Sequence, residues 1–229
     1  MPVRETATAE GAEWRTGEQV RARRMNHLAH IVLSGEEPRM QVGGLLGDFW
    51  RGTLPPEWPE ALTCGVLLHR HVDTWTDANP VLARTRALFP PPYRRYAGIL
   101  LDVWFDHLLA RGFNRLAGMR LEEVAQRAYT AFRSETTALP AAFTLFAARL
   151  EKQRGLERSV DLDYIESVLE RIAMRLARSN PVASALPVLE SLATPVARAF
   201  EEFWPELARF AQAERARLAE TVGSGAGAQ

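Results

Sequence analysis

Two aspartates and a histidine interrupt an otherwise apolar stretch of this 229-residue chain, between Leu100 and Leu109. Asp102 and Asp106 stand four residues apart, and His107 follows directly. A helix that is apolar on nearly all sides is a buried helix, and residues four apart share one of its faces. Buried carboxylates are unfavourable unless hydrogen bonds or a cation neutralise them. The stretch therefore predicts a helical core with a polar centre.

The histidines point to the chemistry of that centre, because all five lie in the first half of the chain, near aspartates. His69 and Asp73 have the same four-residue helical spacing. Imidazole and carboxylate together are the ligands of divalent metals such as Mn, Mg, Fe or Zn, and helical bundles build such sites from facing helices. We therefore predict a metal site between helices of the N-terminal half, with six candidate ligands: His30, Asp48, His69, Asp73, Asp102 and Asp106.

The rest of the chain predicts an all-α fold in a single domain. Apolar residues recur at helical spacing, and we find no strand-like alternation. We predict that residues 1–24 form a flexible extension, that residues 25–220 form the domain, and that residues 221–229 form a flexible tail. The last amphipathic segment, from residue 184 to about 219, contains Pro195 and Pro205, which are predicted to break or kink it.

The segment Gly43-Gly44-Leu45-Leu46-Gly47 precedes Asp48. Its glycines are predicted to allow close backbone packing beside that aspartate. Asp77 begins the sequence Asp-Ala-Asn-Pro, which is typical of a helix end, so we assign it a structural role.

Composition narrows the class of protein. The apolar fraction of 47% and the charged fraction of 24% are those of an ordinary globular domain. The single cysteine, Cys64, excludes a disulfide within the chain and favours a reducing compartment. No apolar run approaches the roughly 20 residues of a membrane span. We therefore expect a cytoplasmic protein with neither membrane nor nucleic acid as a partner.

The whole chain has equal numbers of basic and acidic residues, 28 of each, but they are distributed unevenly along the sequence. Between residues 21 and 120, arginines outnumber acids, and several of those acids are the aspartates predicted to face inward. The surface around the predicted site would therefore be basic, which suits an anionic substrate or an acidic partner.

Four motifs in the first half of the chain resemble a known family. They are Met25-Asn26-His27-Leu28-Ala29-His30; Gly44-Leu45-Leu46-Gly47-Asp48-Phe49 with Arg51-Gly52; His69-Arg70-His71-Val72-Asp73 with Thr76, Asp77 and Pro80; and Asp102-Val103 with Asp106-His107 and Leu109. Their order and spacing are similar to those of the acyl carrier protein phosphodiesterases, helical relatives of the HD-domain metal phosphohydrolases. A weaker likeness continues to about residue 218.

The resemblance implies an HD-phosphohydrolase-like fold and an activity. Members remove the 4'-phosphopantetheine arm from holo-acyl carrier protein, giving apo-protein and 4'-phosphopantetheine, with Mn²⁺ as the expected metal and Mg²⁺ or Fe²⁺ as alternatives. Carrier proteins are acidic, so an arginine-rich rim is expected to dock one. The arginines of this predicted rim are Arg51, Arg84, Arg86, Arg94, Arg95, Arg111 and Arg115.

Three residues are candidates for catalysis in that reaction. Asp106 is a predicted ligand, and His107 is predicted either to protonate the leaving serine oxygen or to be a ligand itself. Arg70 is predicted to stabilise phosphoryl charge or, equally, to hold an aspartate in place. Asp102 is either a ligand or a residue that orients one.

Three other functions stay open on the sequence alone. A phosphohydrolase acting on a nucleotide would share the ligands but need no protein partner. A non-catalytic module that binds carrier protein would need the arginines but not the aspartates. A ferritin-like di-metal oxidoreductase is disfavoured, since the motifs lack the helical Glu-x-x-His pair of that class.

Overall fold

The computed structural model describes residues 26–176 and 178–225, except for the side chains of residues 222–225. The described residues form eleven α-helices and three short 3-10 segments, without a β-strand among them. The predicted all-α fold is therefore confirmed. The predicted N-terminal extension lies outside the described residues, as do residues 226–229 of the predicted tail, whereas residues 221–225 belong to the last helix.

The helices follow one another closely along the chain. Their bounds are α1 (His27–Leu33), α2 (Pro38–Leu46), α3 (Glu60–Ala78), α4 (Pro80–Arg86), α5 (Ala97–Arg111), α6 (Phe113–Ala117), α7 (Leu121–Ser134), α8 (Ala141–Lys152), α9 (Leu162–Arg175), α10 (Leu186–Ser191) and α11 (Ala193–Gly225). The 3-10 segments are Tyr93–Tyr96, Glu157–Val160 and Val182–Ser184.

Helices α2 and α3 pack with their backbones in direct contact, at Gly43 and Gly65. A Cβ atom on Gly43 would lie 2.3 Å from the Leu62 carbonyl oxygen, and one on Gly65 would lie 2.4 Å from that of Met40. Only glycine therefore fits at either position. This contact bears out the predicted close packing, and it fixes α2 against the helix that carries His69 and Asp73.

Helix α5 runs through the core, and ten of its fifteen residues are buried, Asp106 and His107 among them. The end of α3 is also as predicted: the Asn79 side chain accepts a hydrogen bond from the Val81 backbone amide (2.9 Å) and so caps α4. Asp77 forms an exposed ion pair with Arg86 (3.4 Å), in keeping with its structural assignment.

A break at Pro195 or Pro205 was a wrong prediction, because α11 continues from Ala193 to Gly225; a kink at these prolines stays a prediction. Pro195 lies in the first turn, where the backbone amides have no partner within the helix, so nothing is lost there. Pro205 lies inside the helix. The apolar residues on both sides of it are buried against the core, which holds the helix together; they are Phe200, Phe203, Trp204, Leu207 and Ala211.

None of the helices within residues 26–176 and 178–225 has both the length and the apolar character that crossing a bilayer requires.

Candidate metal centre

His30 from α1 meets His69 and Asp73 from α3 at the centre of the N-terminal half. One potential ligand atom from each of the three lies within 4.8 Å of the other two. The Asp73 carboxylate lies between the imidazoles, with Oδ1 at 3.5 Å from His30 Nε2 and Oδ2 at 3.6 Å from His69 Nε2. The two rings stack with centroids 4.0 Å apart. The group thus presents two nitrogens and a carboxylate to one point in space.

The backbone of α2 determines which nitrogen of His69 can bind a ligand. His69 Nδ1 lies 2.7 Å from the Gly44 carbonyl oxygen. Since a carbonyl only accepts hydrogen bonds, Nδ1 carries the proton, and Nε2 is the nitrogen that faces Asp73. The ring also lies against Gly47, where a Cβ atom would come within 2.3 Å of His69 Cγ and Cδ2.

Asp48 lies beside this group, in the turn that follows α2. Its Oδ1 is 3.8 Å from His69 Nε2, and its side chain is 9% exposed. Arg70 holds the following segment against α3, because its guanidinium donates to the carbonyl oxygens of Trp50 (3.3 Å) and Gly52 (3.1 Å). Arg70 therefore stabilises the segment after Asp48, whichever further role it has.

The carboxylates around His30 stabilise positive charge on its ring. His30 is 2% exposed, and within the described residues its Nε2 has no hydrogen-bond partner. Burial lowers the pKa of His30, but the carboxylates of Asp73, Asp48 and Asp106 outweigh burial, and the pKa is raised. The surroundings thus stabilise positive charge at this point. With two imidazoles and adjacent carboxylates, the donor set suits Mn²⁺, Fe²⁺ or Zn²⁺, so the group could bind a metal.

Asp106 contacts the N-terminus of α1. Its two carboxylate oxygens accept hydrogen bonds from the backbone amides of Leu28 (2.9 Å) and Ala29 (3.0 Å), at the end of the helix where amides lack internal partners. Burial raises the pKa of Asp106 to about 7, although those two hydrogen bonds lower it. Asp106 thereby positions the helix that carries His30. Its predicted roles as ligand and catalytic residue remain predictions.

Two other candidates, Asp102 and His107, are not in the group formed by His30, His69 and Asp73. Asp102 lines a separate small cavity with Thr76 and Arg86. His107 is buried, with Nδ1 at 2.9 Å from the Ser159 carbonyl oxygen and its ring against Trp104. The predicted roles of Asp102 and His107 in metal binding and catalysis stay predictions.

The predicted rim arginines lie on α4 to α6, on the 3-10 segment before α5 and in the segment after α2. Most make contacts within the chain. Three of them form ion pairs with acidic side chains: Arg84 with Glu202 (3.0 Å), Arg86 with Asp77 (3.4 Å) and Arg115 with Glu201 (3.9 Å). Arg94 donates hydrogen bonds to the carbonyl oxygens of Ala87 and Phe89, and Arg95 lies over the Tyr96 ring. Arg51 and Arg111 are exposed.

A different pair of arginines lies beside the candidate metal ligands. A cavity of about 190 Å³ is lined by Asp48, His27, Arg149 and Arg175, among other residues. Neither arginine is among the residues predicted from the sequence, because both belong to amphipathic helices in the half of the chain without histidine. One available signal was the four-residue spacing of Arg171 and Arg175, which places both on one face of α9.

Comparison with known proteins identifies relatives over most of the chain. Residues 25–207 match the sequence profile of the family described as acyl carrier protein phosphodiesterase. A protein of that name from Yersinia pestis is 34% identical over 189 residues, which cover 82% of this chain and 98% of the relative. Another from Serratia proteamaculans is 33% identical over 184 residues, covering 80% and 95%. No solved structure matches the chain.

Proposed function

This chain belongs to the acyl carrier protein phosphodiesterase family, and we propose that it is a metal-dependent enzyme that hydrolyses holo-acyl carrier protein to apo-protein and 4'-phosphopantetheine. The observation that carries the proposal is the convergence of His30, His69 and Asp73, with Asp48 beside them, in a chain that matches its relatives over nearly their whole length. We expect it to act in the cytoplasm, where the lone cysteine stays reduced.

The proposed bond to be cleaved joins a serine oxygen of the carrier protein to the phosphate of the arm. The chain would hold the metal, Mn²⁺ or alternatively Mg²⁺ or Fe²⁺, through His30, His69, Asp73 and Asp48. Such an ion polarises phosphoryl oxygens and lowers the pKa of a bound water. The Gly44 carbonyl keeps His69 in the tautomer that binds through Nε2. Asp106 keeps His30 in place by holding the start of α1.

The roles predicted for Asp106, Asp102, His107 and Arg70 also belong to the proposal, but the structure supports them to different degrees. Asp106 remains a candidate ligand and catalytic residue, and Asp102 a candidate ligand or orienting residue. For His107, burial lowers its pKa, which disfavours the protonated ring that a proton donor needs. Arg70 lies next to a candidate ligand, but its hydrogen bonds to the Trp50 and Gly52 carbonyls favour a positioning role.

We further propose that the rim arginines dock the acidic carrier protein. Arg51 and Arg111 are exposed, which suits long-range attraction of an acidic partner. Replacing both with glutamate is expected to raise KM for holo-acyl carrier protein at low salt and to weaken the dependence of KM on salt, with kcat unchanged. Unchanged KM and unchanged salt dependence would show that these arginines do not dock the carrier.

The first test is intact-mass analysis of holo-acyl carrier protein incubated with the purified enzyme and Mn²⁺. We expect the carrier to lose the mass of its phosphopantetheine arm, and we expect a chelator to prevent the loss. If the enzyme binds Mn²⁺ but leaves the carrier mass unchanged, holo-acyl carrier protein is not the substrate, and small phosphate esters such as nucleotides should be tried next. If it binds neither metal nor substrate, the proposed chemistry is wrong.

A further inference from the structure

Two cavities meet beside the candidate metal ligands and form one groove. Both are lined by His27, Phe146, Arg149 and Arg175. The larger one, of about 190 Å³, ends at Asp48. The smaller one, of about 50 Å³, extends between α5, α8 and α9 to Arg171. We call this whole space the arginine groove.

The arginine groove carries an excess of positive charge. Arg149 comes from α8, and Arg171 and Arg175 come from one face of α9. Among the described residues, no carboxylate lies within ion-pair distance of Arg149 or Arg171. The acids lining the groove are Asp48, beside the metal ligands, and Asp106, which binds the amides of α1.

Arg171 is held in place by neighbouring side chains, whereas Arg149 and Arg175 are exposed to solvent. Arg171 donates to Ser167 Oγ (3.0 Å) and lies over the Tyr164 ring, 5.5 Å from its centroid. Burial, His30 and the cations at Arg175 and Arg171 lower the pKa of His27 to about 3, so that its ring is neutral and adds no charge of its own.

Apolar side chains line the arginine groove together with these cations. Phe49 and Phe146 contact each other, with ring centroids 5.0 Å apart, and His27 packs on Phe146 at 4.7 Å. Leu145, at the edge of the larger cavity, is 73% exposed. A groove lined by both guanidinium groups and apolar side chains matches a phosphate attached to an extended, uncharged organic chain.

We propose that the arginine groove binds the phosphopantetheine part of the substrate. The phosphoryl group lies in the larger cavity, between Asp48 and the guanidinium groups of Arg149 and Arg175. The uncharged arm lies along Phe49 and Phe146. This assignment rests on the proposed function and adds to it the residues that select a phosphorylated arm. It differs from the predicted rim, whose arginines would contact the carrier protein alone.

The test compares binding of 4'-phosphopantetheine and of pantetheine, which lacks the phosphate, by titration calorimetry with the Mn²⁺-loaded enzyme. We expect Arg149→Ala and Arg175→Ala each to weaken binding of 4'-phosphopantetheine by about tenfold or more, because each removes a charge-assisted hydrogen bond. Binding of pantetheine should not change. Arg149→Lys should keep part of the affinity, since lysine retains the charge but not the fork of donors.

A matched control comes from the same helix. Lys152, the last residue of α8, is exposed and lines neither cavity. We expect Lys152→Ala to bind 4'-phosphopantetheine like the wild type, and circular dichroism should show every variant to be folded. The proposal is overturned if the wild type does not prefer 4'-phosphopantetheine, if the arginine variants retain its affinity, or if Lys152→Ala loses as much.

The same measurements separate this proposal from the proposed function. If holo-acyl carrier protein is not cleaved but 4'-phosphopantetheine binds and depends on Arg149 and Arg175, the groove assignment stands and the substrate assignment fails. If the carrier is cleaved at the wild-type rate by both arginine variants, and their affinity for 4'-phosphopantetheine is normal, the groove assignment fails alone. In a third arm, Arg51→Glu with Arg111→Glu should leave 4'-phosphopantetheine binding unchanged.

Discussion

Asp73→Asn is expected to lower kcat/KM for holo-acyl carrier protein by about 10³-fold, because ligand-held metals contribute several kcal/mol to such reactions. The Asp73 carboxylate faces both imidazoles, at 3.5 Å from His30 Nε2 and 3.6 Å from His69 Nε2. Asparagine keeps the shape of the side chain but removes its charge. The measurements are initial rates from the intact-mass assay and the Mn²⁺ content of the variant after dialysis.

The control for this variant lies one helical turn further along α3. Asp77 is exposed and pairs with Arg86 at the surface, where an ion pair contributes about 0–1 kcal/mol to stability. Asp77→Asn should therefore keep both its activity and its metal. If Asp73→Asn retained most of its activity and its Mn²⁺, the carboxylate would not be a ligand, and the proposed metal centre would need a different set of residues.

Local spacing could bring together the two candidate ligands on α3 because both belong to one helix. His69 and Asp73 share a face by periodicity alone, and the structure places both beside His30. The four-residue spacing of Asp102 and Asp106 does not distinguish a metal ligand from a helix cap. Both roles require a carboxylate buried beside positive potential. Only the packing of α5 against the start of α1 reveals that Asp106 binds backbone amides.

The arginines beside the centre could not be found from local charge. Counting arginines around the histidines favoured residues such as Arg84 and Arg115, which pair with glutamates of α11. Arg149 and Arg175 lie more than 40 residues after the last histidine in the sequence. Folding brings α8 and α9 to the cavity at Asp48. Such a site depends on contacts between distant segments, which a pattern within one helix does not encode.

Gly43→Ala is expected to lower the free energy of unfolding by about 1–3 kcal/mol, the usual effect of overpacking a core. Helix propensity alone would predict the opposite sign, since alanine is favoured over glycine by about 1 kcal/mol. The new methyl group would lie 2.3 Å from the Leu62 carbonyl oxygen and 2.8 Å from Gly65 Cα. Both are backbone atoms, so α2 and α3 must separate. Urea denaturation of the metal-free protein measures the change.

Gly98→Ala provides the matched control in the first turn of α5. Its Cβ atom would meet Arg86 Nε at 3.8 Å, an ordinary contact, so we expect a gain of about 0.4–1 kcal/mol. If the free energy of unfolding falls for Gly43→Ala and rises for Gly98→Ala, the effect of packing is separated from that of helix propensity. If Gly43→Ala were as stable as the wild type, the close approach of α2 and α3 would not be present in solution.

The same methyl group should also reduce activity under conditions where the variant is fully folded. Separation of α2 from α3 would move the Gly44 carbonyl away from His69 Nδ1 and so weaken the contact that fixes the tautomer of this candidate ligand. It would also move Asp48 away from His69 Nε2. Partners that orient a metal ligand typically contribute about 10–100-fold to metal affinity or activity. We therefore expect folded Gly43→Ala to need more Mn²⁺ for half-maximal activity, whereas Gly98→Ala needs the same amount as the wild type. An unchanged Mn²⁺ requirement would mean that the contact between α2 and α3 serves stability alone.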